Sequence, residues 1–184
     1  MLVIGASISW DWSAPSPGRK LAERMGAKAV VIARPGNFGS ATRLLPSIPD
    51  SDFENAAVVV AVDIFFWDSY RADCGPSLAA LDALLARSRK ARLVVGNVPR
   101  IKVSSFVRFV ARAEHDTQAC RLTINRALAE RCRKPACAVL DLAAVYRGLI
   151  ADGSLSRMMP DGLHFGNELS ERISRMIEAS PPGT

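Results

Sequence analysis

Five short runs of mostly apolar residues recur along this chain, and helical periodicity fills the segments between them. The runs are Leu2 to Ala6, Ala29 to Ala33, Ala57 to Val62, Leu93 to Gly96 and Ala138 to Leu142. Each is almost continuously apolar, which is the pattern of strands covered on both faces of a parallel sheet. Three intervening stripes read as helices: Leu21, Ala22 and Met25 after Pro17; Leu78, Leu81, Leu84 and Leu85; and Phe165, Leu169, Ile173 and Met176. Asn167 is expected to cap the last of these, with Glu168 and Glu171 in its first turn. Strands and helices alternating through right-handed crossovers predict an α/β fold, a three-layer α/β/α sandwich around a five-stranded parallel sheet of flavodoxin-like pattern. A length of 184 residues, 49% of them apolar, predicts a single domain over residues 1–179. Residues 180–184, Ser-Pro-Pro-Gly-Thr, read as a flexible tail.

Composition excludes several function classes. Charged residues at 23% and aromatics at 7% are ordinary for a globular chain. The longest apolar run, Ala56 to Trp67, is interrupted by Asp63 and too short to span a bilayer, so no membrane span is expected. Met1 leads directly into Leu2-Val3-Ile4 without a basic region or cleavage site, which predicts a cytoplasmic protein without a signal peptide. A longer leader in the gene would make it a secreted one.

The net charge of +6 raises a nucleic-acid partner, but the basic clusters argue against it. Arg87, Arg89, Lys90 and Arg92 form one, and Arg131, Arg133 and Lys134 the other. Both fall at expected helix ends, where cations offset unpaired carbonyls, and no aromatic residues interleave with them. They read as solvated helix ends, and no nucleic-acid partner is expected.

Cys74, Cys120, Cys132 and Cys137 match no zinc or redox spacing, and only two histidines are present, so no metal and no cofactor are expected. Cys120, Ile124, Leu128 and Cys132 recur every fourth residue, so two cysteines read as small core residues. Reduced thiols are the expectation. His115, within Glu114-His115-Asp116, reads as a solvated residue at a polar helix start.

Sites in parallel sheets lie beyond the carboxyl ends of the strands. Those positions hold Gly5-Ala6-Ser7, then Gly36-Asn37-Phe38-Gly39, then Asp63 with the aromatic run Phe65 to Tyr70, then Gly96-Asn97; Asp161-Gly162-Leu163-His164 stands before the last helix. Singly, each is a turn or cap. Together they supply acyl transfer with a hydroxyl nucleophile, an imidazole base, an orienting carboxylate and backbone N–H donors for an oxyanion. Gly39 has no side chain to keep its N–H from a substrate, and Asn97 adds an amide donor.

In the order and spacing of these motifs the chain resembles the SGNH (GDSL-like) hydrolases. The resemblance rests on Gly5-Ala6-Ser7, on Gly36 to Gly39 followed by Thr42-Arg43-Leu44-Leu45, and on Asp161-Gly162-Leu163-His164. It implies an SGNH hydrolase fold and metal-free serine hydrolysis. Ser7 would be the nucleophile, His164 the base, Asp161 its partner and Gly39 an oxyanion donor. The substrate would be a small-molecule carboxylic ester or acetylated compound.

The chain departs from the family at Ala6, where the family has Asp, and at Val60-Ala61-Val62-Asp63, which lacks the asparagine of the third motif. A carboxylate facing an oxyanion would repel it, so Asp63 is expected to accept hydrogen bonds from the active-site loops, and Asn97 to supply the missing amide. The alternatives are a catalytically weak or inactive relative that binds a ligand in the same cleft, and a flavodoxin-like electron carrier. The latter would leave the Asp161/His164 pair unexplained.

Overall fold

A computed structural model describes residues 1–11, 14–132 and 137–180. The described residues form a five-stranded parallel sheet: β1 (Leu2–Gly5), β2 (Val30–Ala33), β3 (Val58–Ala61), β4 (Arg92–Gly96) and β5 (Cys137–Leu140). Their order is β2-β1-β3-β4-β5. Helices pack on both faces, so the architecture is the expected α/β/α sandwich. They are α1 (Pro17–Arg24), α2 (Ala41–Leu44), α3 (Asp50–Glu54), α4 (Gly75–Arg87), α5 (Ser105–Val110), α6 (Arg121–Arg131), α7 (Leu142–Ala151), α8 (Leu155–Met158) and α9 (Asn167–Ala179).

The strand order decides which strands are buried. β1, β3 and β4 have neighbours on both sides, and Ile4, Val59, Val60, Val94 and Val95 are wholly inaccessible. β2 lies at an edge, so Val30 is exposed and the rest of the strand only half-buried, although its sequence is as apolar as the others. On the face bearing Val3 and Val60, α1 sits so close that a Cβ at Gly18 would meet both valines within 3.3 Å. α1 also packs against α9, with the Arg24 guanidinium bridging to Glu171 and Glu178. A longer side chain at position 18 would therefore push α1 off the sheet.

Several element ends depart from the sequence expectation. Leu142 is the first residue of α7 and not the end of a strand, because the Asp141 side chain accepts the Ala144 N–H and starts a helix there. Asn167 is the first residue of α9; the capping position is Gly166, which offers no side chain. Glu168, but not Glu171, falls in the first turn. Glu114-His115-Asp116 lies in an irregular loop, where His115 is exposed and its ring contacts Thr117. Ser180 is tied down by its own Oγ on the Met176 carbonyl and by Arg92 on its carbonyl, while 181–184 lie outside the described residues.

The basic clusters are more than solvated helix ends. Arg87 bonds the Leu45 and Ile48 carbonyls and Asp50, and its guanidinium lies 4.2 Å from the Phe53 ring centroid. Arg92 reaches the Ile177 carbonyl as well as Ser180. Arg131 pairs with Asp82, and Arg133 and Lys134 lie outside the described residues.

The cysteines correct the expectation of reduced thiols. Cys74 is bonded to Cys120 and Cys132 to Cys137. Cys120 and Cys132 do belong to the buried face of α6 with Ile124 and Leu128. Each, however, stands just outside the helix, where a second thiol comes within reach from α4's start or from β5. A pairing across 46 residues leaves no local spacing signal, and the five-residue separation of Cys132 and Cys137 matches no zinc or redox spacing.

Candidate active site

β1 and β3 are neighbours, but the chain leaves them in opposite directions across the sheet, and the crevice between their carboxyl ends is where the candidate residues meet. After Gly5 the chain turns sharply through Ala6-Ser7-Ile8-Ser9. Asp63, just past β3, holds that turn from beneath: its carboxylate accepts the Ala6 N–H at 3.1 Å, the Ile8 N–H at 2.9 Å and the Ser9 hydroxyl at 2.6 Å. The backbone on both sides of Ser7 is thus fixed by one carboxylate. Burial pushes the Asp63 carboxyl above its usual range, against the pull of the Ser9, Ile8 and Ala6 hydrogen bonds. A Cβ at position 5 would lie 2.1 Å from Asp63 Oδ1, so only glycine admits the carboxylate here.

His164 arrives on the turn between α8 and α9. Asp161 builds that turn with one oxygen, which accepts the Leu163 N–H at 3.0 Å and the His164 N–H at 2.7 Å. Its other oxygen lies 2.6 Å from His164 Nδ1, and His164 Nε2 lies 2.8 Å from Ser7 Oγ. With the Nδ1 proton donated to Asp161, Nε2 is left as acceptor for the Ser7 hydroxyl. For Asp161, burial alone would raise the carboxyl pKa; hydrogen bonds from the His164 ring and from two backbone N–H groups outweigh it and hold the group below the usual carboxylate range.

Gly39 closes a tight turn, Gly36–Gly39, beyond β2. A Cβ there would lie 2.5 Å from Ala6 Cα and 2.8 Å from the Gly5 carbonyl oxygen, so its backbone rests directly against the residues before Ser7. Asn37, Asp68 and the Ile64 carbonyl, which accepts the Ala41 N–H at 2.9 Å, anchor this turn. Asn37 donates its backbone N–H to Ala111 and its side-chain amide to Arg112. Asp68, a buried carboxylate, accepts the Ala41 N–H at 2.6 Å and the Thr42 N–H at 3.4 Å just downstream. Burial pushes its carboxyl up, opposed by the bonds from Thr42 and Ala41. The sequence reading missed Asp68: it lies inside an aromatic run, and the groups it binds are 26 and 27 residues away.

Asn97 lies along the same cavity as Ser7, and its amide also bridges two elements. Nδ2 donates to Asp141 at 2.8 Å and Oδ1 accepts the Ala143 N–H at 2.9 Å, which ties β4 to the start of α7. The cavity is walled mainly by apolar side chains, among them Phe66, Trp67, Ile101, Leu149, Met159 and Phe165. The aromatic run is therefore partly core and partly wall: Phe65 is buried away from the cavity, while Phe66 and Trp67 line it. Among the described residues no cluster of His, Cys, Asp and Glu could hold a metal ion.

Solved structures share this architecture. A lipase does. That protein, Lip_vut3 from a goat rumen metagenome, superposes with a TM-score of 0.67 at 15% identity, over 97% of this chain and 95% of its own. Another solved structure matches with a TM-score of 0.66 at 23% identity, over 97% of this chain and 93% of that one. At such identities the likeness establishes the fold alone. No protein-family model and no curated sequence matches the chain.

Proposed function

We propose that the chain is a serine hydrolase of carboxylic esters, of the SGNH type, with Ser7, His164 and Asp161 as its catalytic residues. The observation that carries this reading is the unbroken chain from Ser7 Oγ through both ring nitrogens of His164 to Asp161. His164 Nε2 takes the proton as Ser7 Oγ attacks the ester carbonyl, and Asp161 stabilises the imidazolium that results. The N–H groups of Ser7 and Gly39 face the developing oxyanion. Collapse of the tetrahedral intermediate expels the alcohol, which takes the proton from His164. Water, activated by the same imidazole, then releases the acid from Ser7. The apolar cavity suits the acyl group, with the alcohol toward solvent.

Labelling with a fluorophosphonate probe tests the proposal. Ser7 is the residue expected to be labelled, and Ser7→Ala should abolish both labelling and hydrolysis of short p-nitrophenyl esters. Labelling at Ser9 or Ser40 would refute the assignment. The missing third-motif asparagine favours a second reading, a ligand-binding relative. Loss of one oxyanion donor costs about 100- to 1,000-fold in other serine hydrolases. An unlabelled, folded protein would decide for it.

A further inference from the structure

Among the described residues, α5 alone of the helices has no buried residue. Its outward positions Phe106, Phe109 and Val110 are three and four residues apart, hence on one face, and are 74%, 82% and 61% exposed. Only Val107 turns inward to the core. Exposed phenylalanines in such a group are unusual for a soluble surface and mark a place where something else binds.

Charge identifies what that is. Immediately after α5, the Arg112 guanidinium lies 5.1 Å from the ring centroid of Phe38, itself 43% exposed, and Arg43 approaches the same ring at 5.9 Å. Arg34, Arg100 and Lys102 are also exposed on the flanking segments. The nearby acids are engaged: Glu114 pairs with Arg71 and Asp116 with Arg108. Among the described residues none of the five cations is paired with a carboxylate. Arg112 also holds a left-handed backbone conformation, φ 56°, where glycine would be easier.

This surface is continuous with the site. Residues 111 and 112 anchor Asn37, and Phe38 belongs to the same turn as Gly39. We propose that α5 and the Phe38 turn dock on an anionic lipid surface, with the phenylalanines in the acyl boundary and the arginines on phosphate headgroups. The inference extends the ester-hydrolase reading, because a protein so docked presents its Ser7 crevice beside a lipid phase, but the binding it asserts is measured without turnover.

Co-sedimentation with vesicles tests it, using Ser7→Ala protein so that no lipid is consumed. Binding is expected to vesicles of phosphatidylcholine containing about a third phosphatidylglycerol, and to weaken with salt. Phe106→Ser/Phe109→Ser should lower vesicle affinity at least about tenfold. The same pair of substitutions in otherwise unmodified protein should leave its melting temperature and hydrolysis of a soluble short-chain ester unchanged. Arg112→Gln should weaken binding to anionic vesicles alone. Absence of vesicle binding overturns the proposal, as does equal binding to pure phosphatidylcholine. A concentration-dependent dimer abolished by the double substitution also overturns it, assigning the face to a second copy. Vesicle binding by a protein whose Ser7 is never labelled would sustain the docking surface and refute the hydrolase reading.

Discussion

Asp161 does two tasks that the Asp-x-x-His spacing makes compatible. One oxygen shapes the turn by accepting two backbone N–H groups, which leaves the other for the imidazole. Replacing it by Asn keeps an acceptor for the turn but sets an amide N–H against Nδ1, favouring the tautomer with its proton facing Ser7. Asp161→Asn should therefore slow ester turnover by roughly 100- to 10,000-fold with little loss of fold. The pH dependence has a definite sign. Because the folded carboxyl lies below its ordinary range, Asp161 contributes stability that is fully present above the unfolded value of about 3.9 and lost as pH falls through the lower folded value. Acid titration of stability should show wild type losing more than Asp161→Asn below about pH 4. Equal acid sensitivity of the two proteins, or unchanged turnover, would mean that another carboxylate orients the ring.

At the scale of elements, α2 is a single turn that cannot sustain itself; Asp68 accepts its first two N–H groups, sharing that of Ala41 with the Ile64 carbonyl. Asp68→Asn replaces one acceptor oxygen by a donor in a buried place. A loss of about 1–3 kcal/mol in urea melts is expected, with a fall in kcat larger than any change in KM as the Gly39 turn loosens. Unchanged melting and kinetics would show that the Asn37 contacts and the Ala41 N–H bond to the Ile64 carbonyl hold the turn without it. β1, β3 and β4 were legible because two-sided burial writes continuous apolar runs into the sequence, and the Ser7, Gly39 and Asp161/His164 turns because each stands at the end of such a run or before a helical stripe. The supports were not. Asp68, the Asn37 anchors and the Asn97–Asp141 bond join segments far apart in the chain, and no periodicity records such pairs. The exposed edge of β2 was hidden for a related reason: strand order, not composition, decides which strand has one neighbour.

Across the whole molecule, the two disulfides act on very different lengths of chain. Cys74–Cys120 joins the start of α4 to the start of α6 and closes a loop of 46 residues, with β4 and α5 inside it. Cys132–Cys137 spans only 5 and joins the end of α6 to β5. If the main effect is to restrict the unfolded chain, the long loop contributes about 4 kcal/mol and the short one about 2 kcal/mol. Cys74→Ser/Cys120→Ser should therefore lower the melting temperature clearly more than Cys132→Ser/Cys137→Ser. Reductant should destabilise wild type by about the combined amount and have no effect on a protein lacking all four thiols. The first bridge also matters for the proposed docking surface, since α5 is carried on the loop it closes. The Cys74→Ser/Cys120→Ser protein, studied below its melting point, should retain labelling of Ser7, whose partners lie outside that loop, while binding anionic vesicles more weakly. Equal destabilisation by the two pairs would argue that native-state contacts around the bridges, rather than loop closure, set their worth.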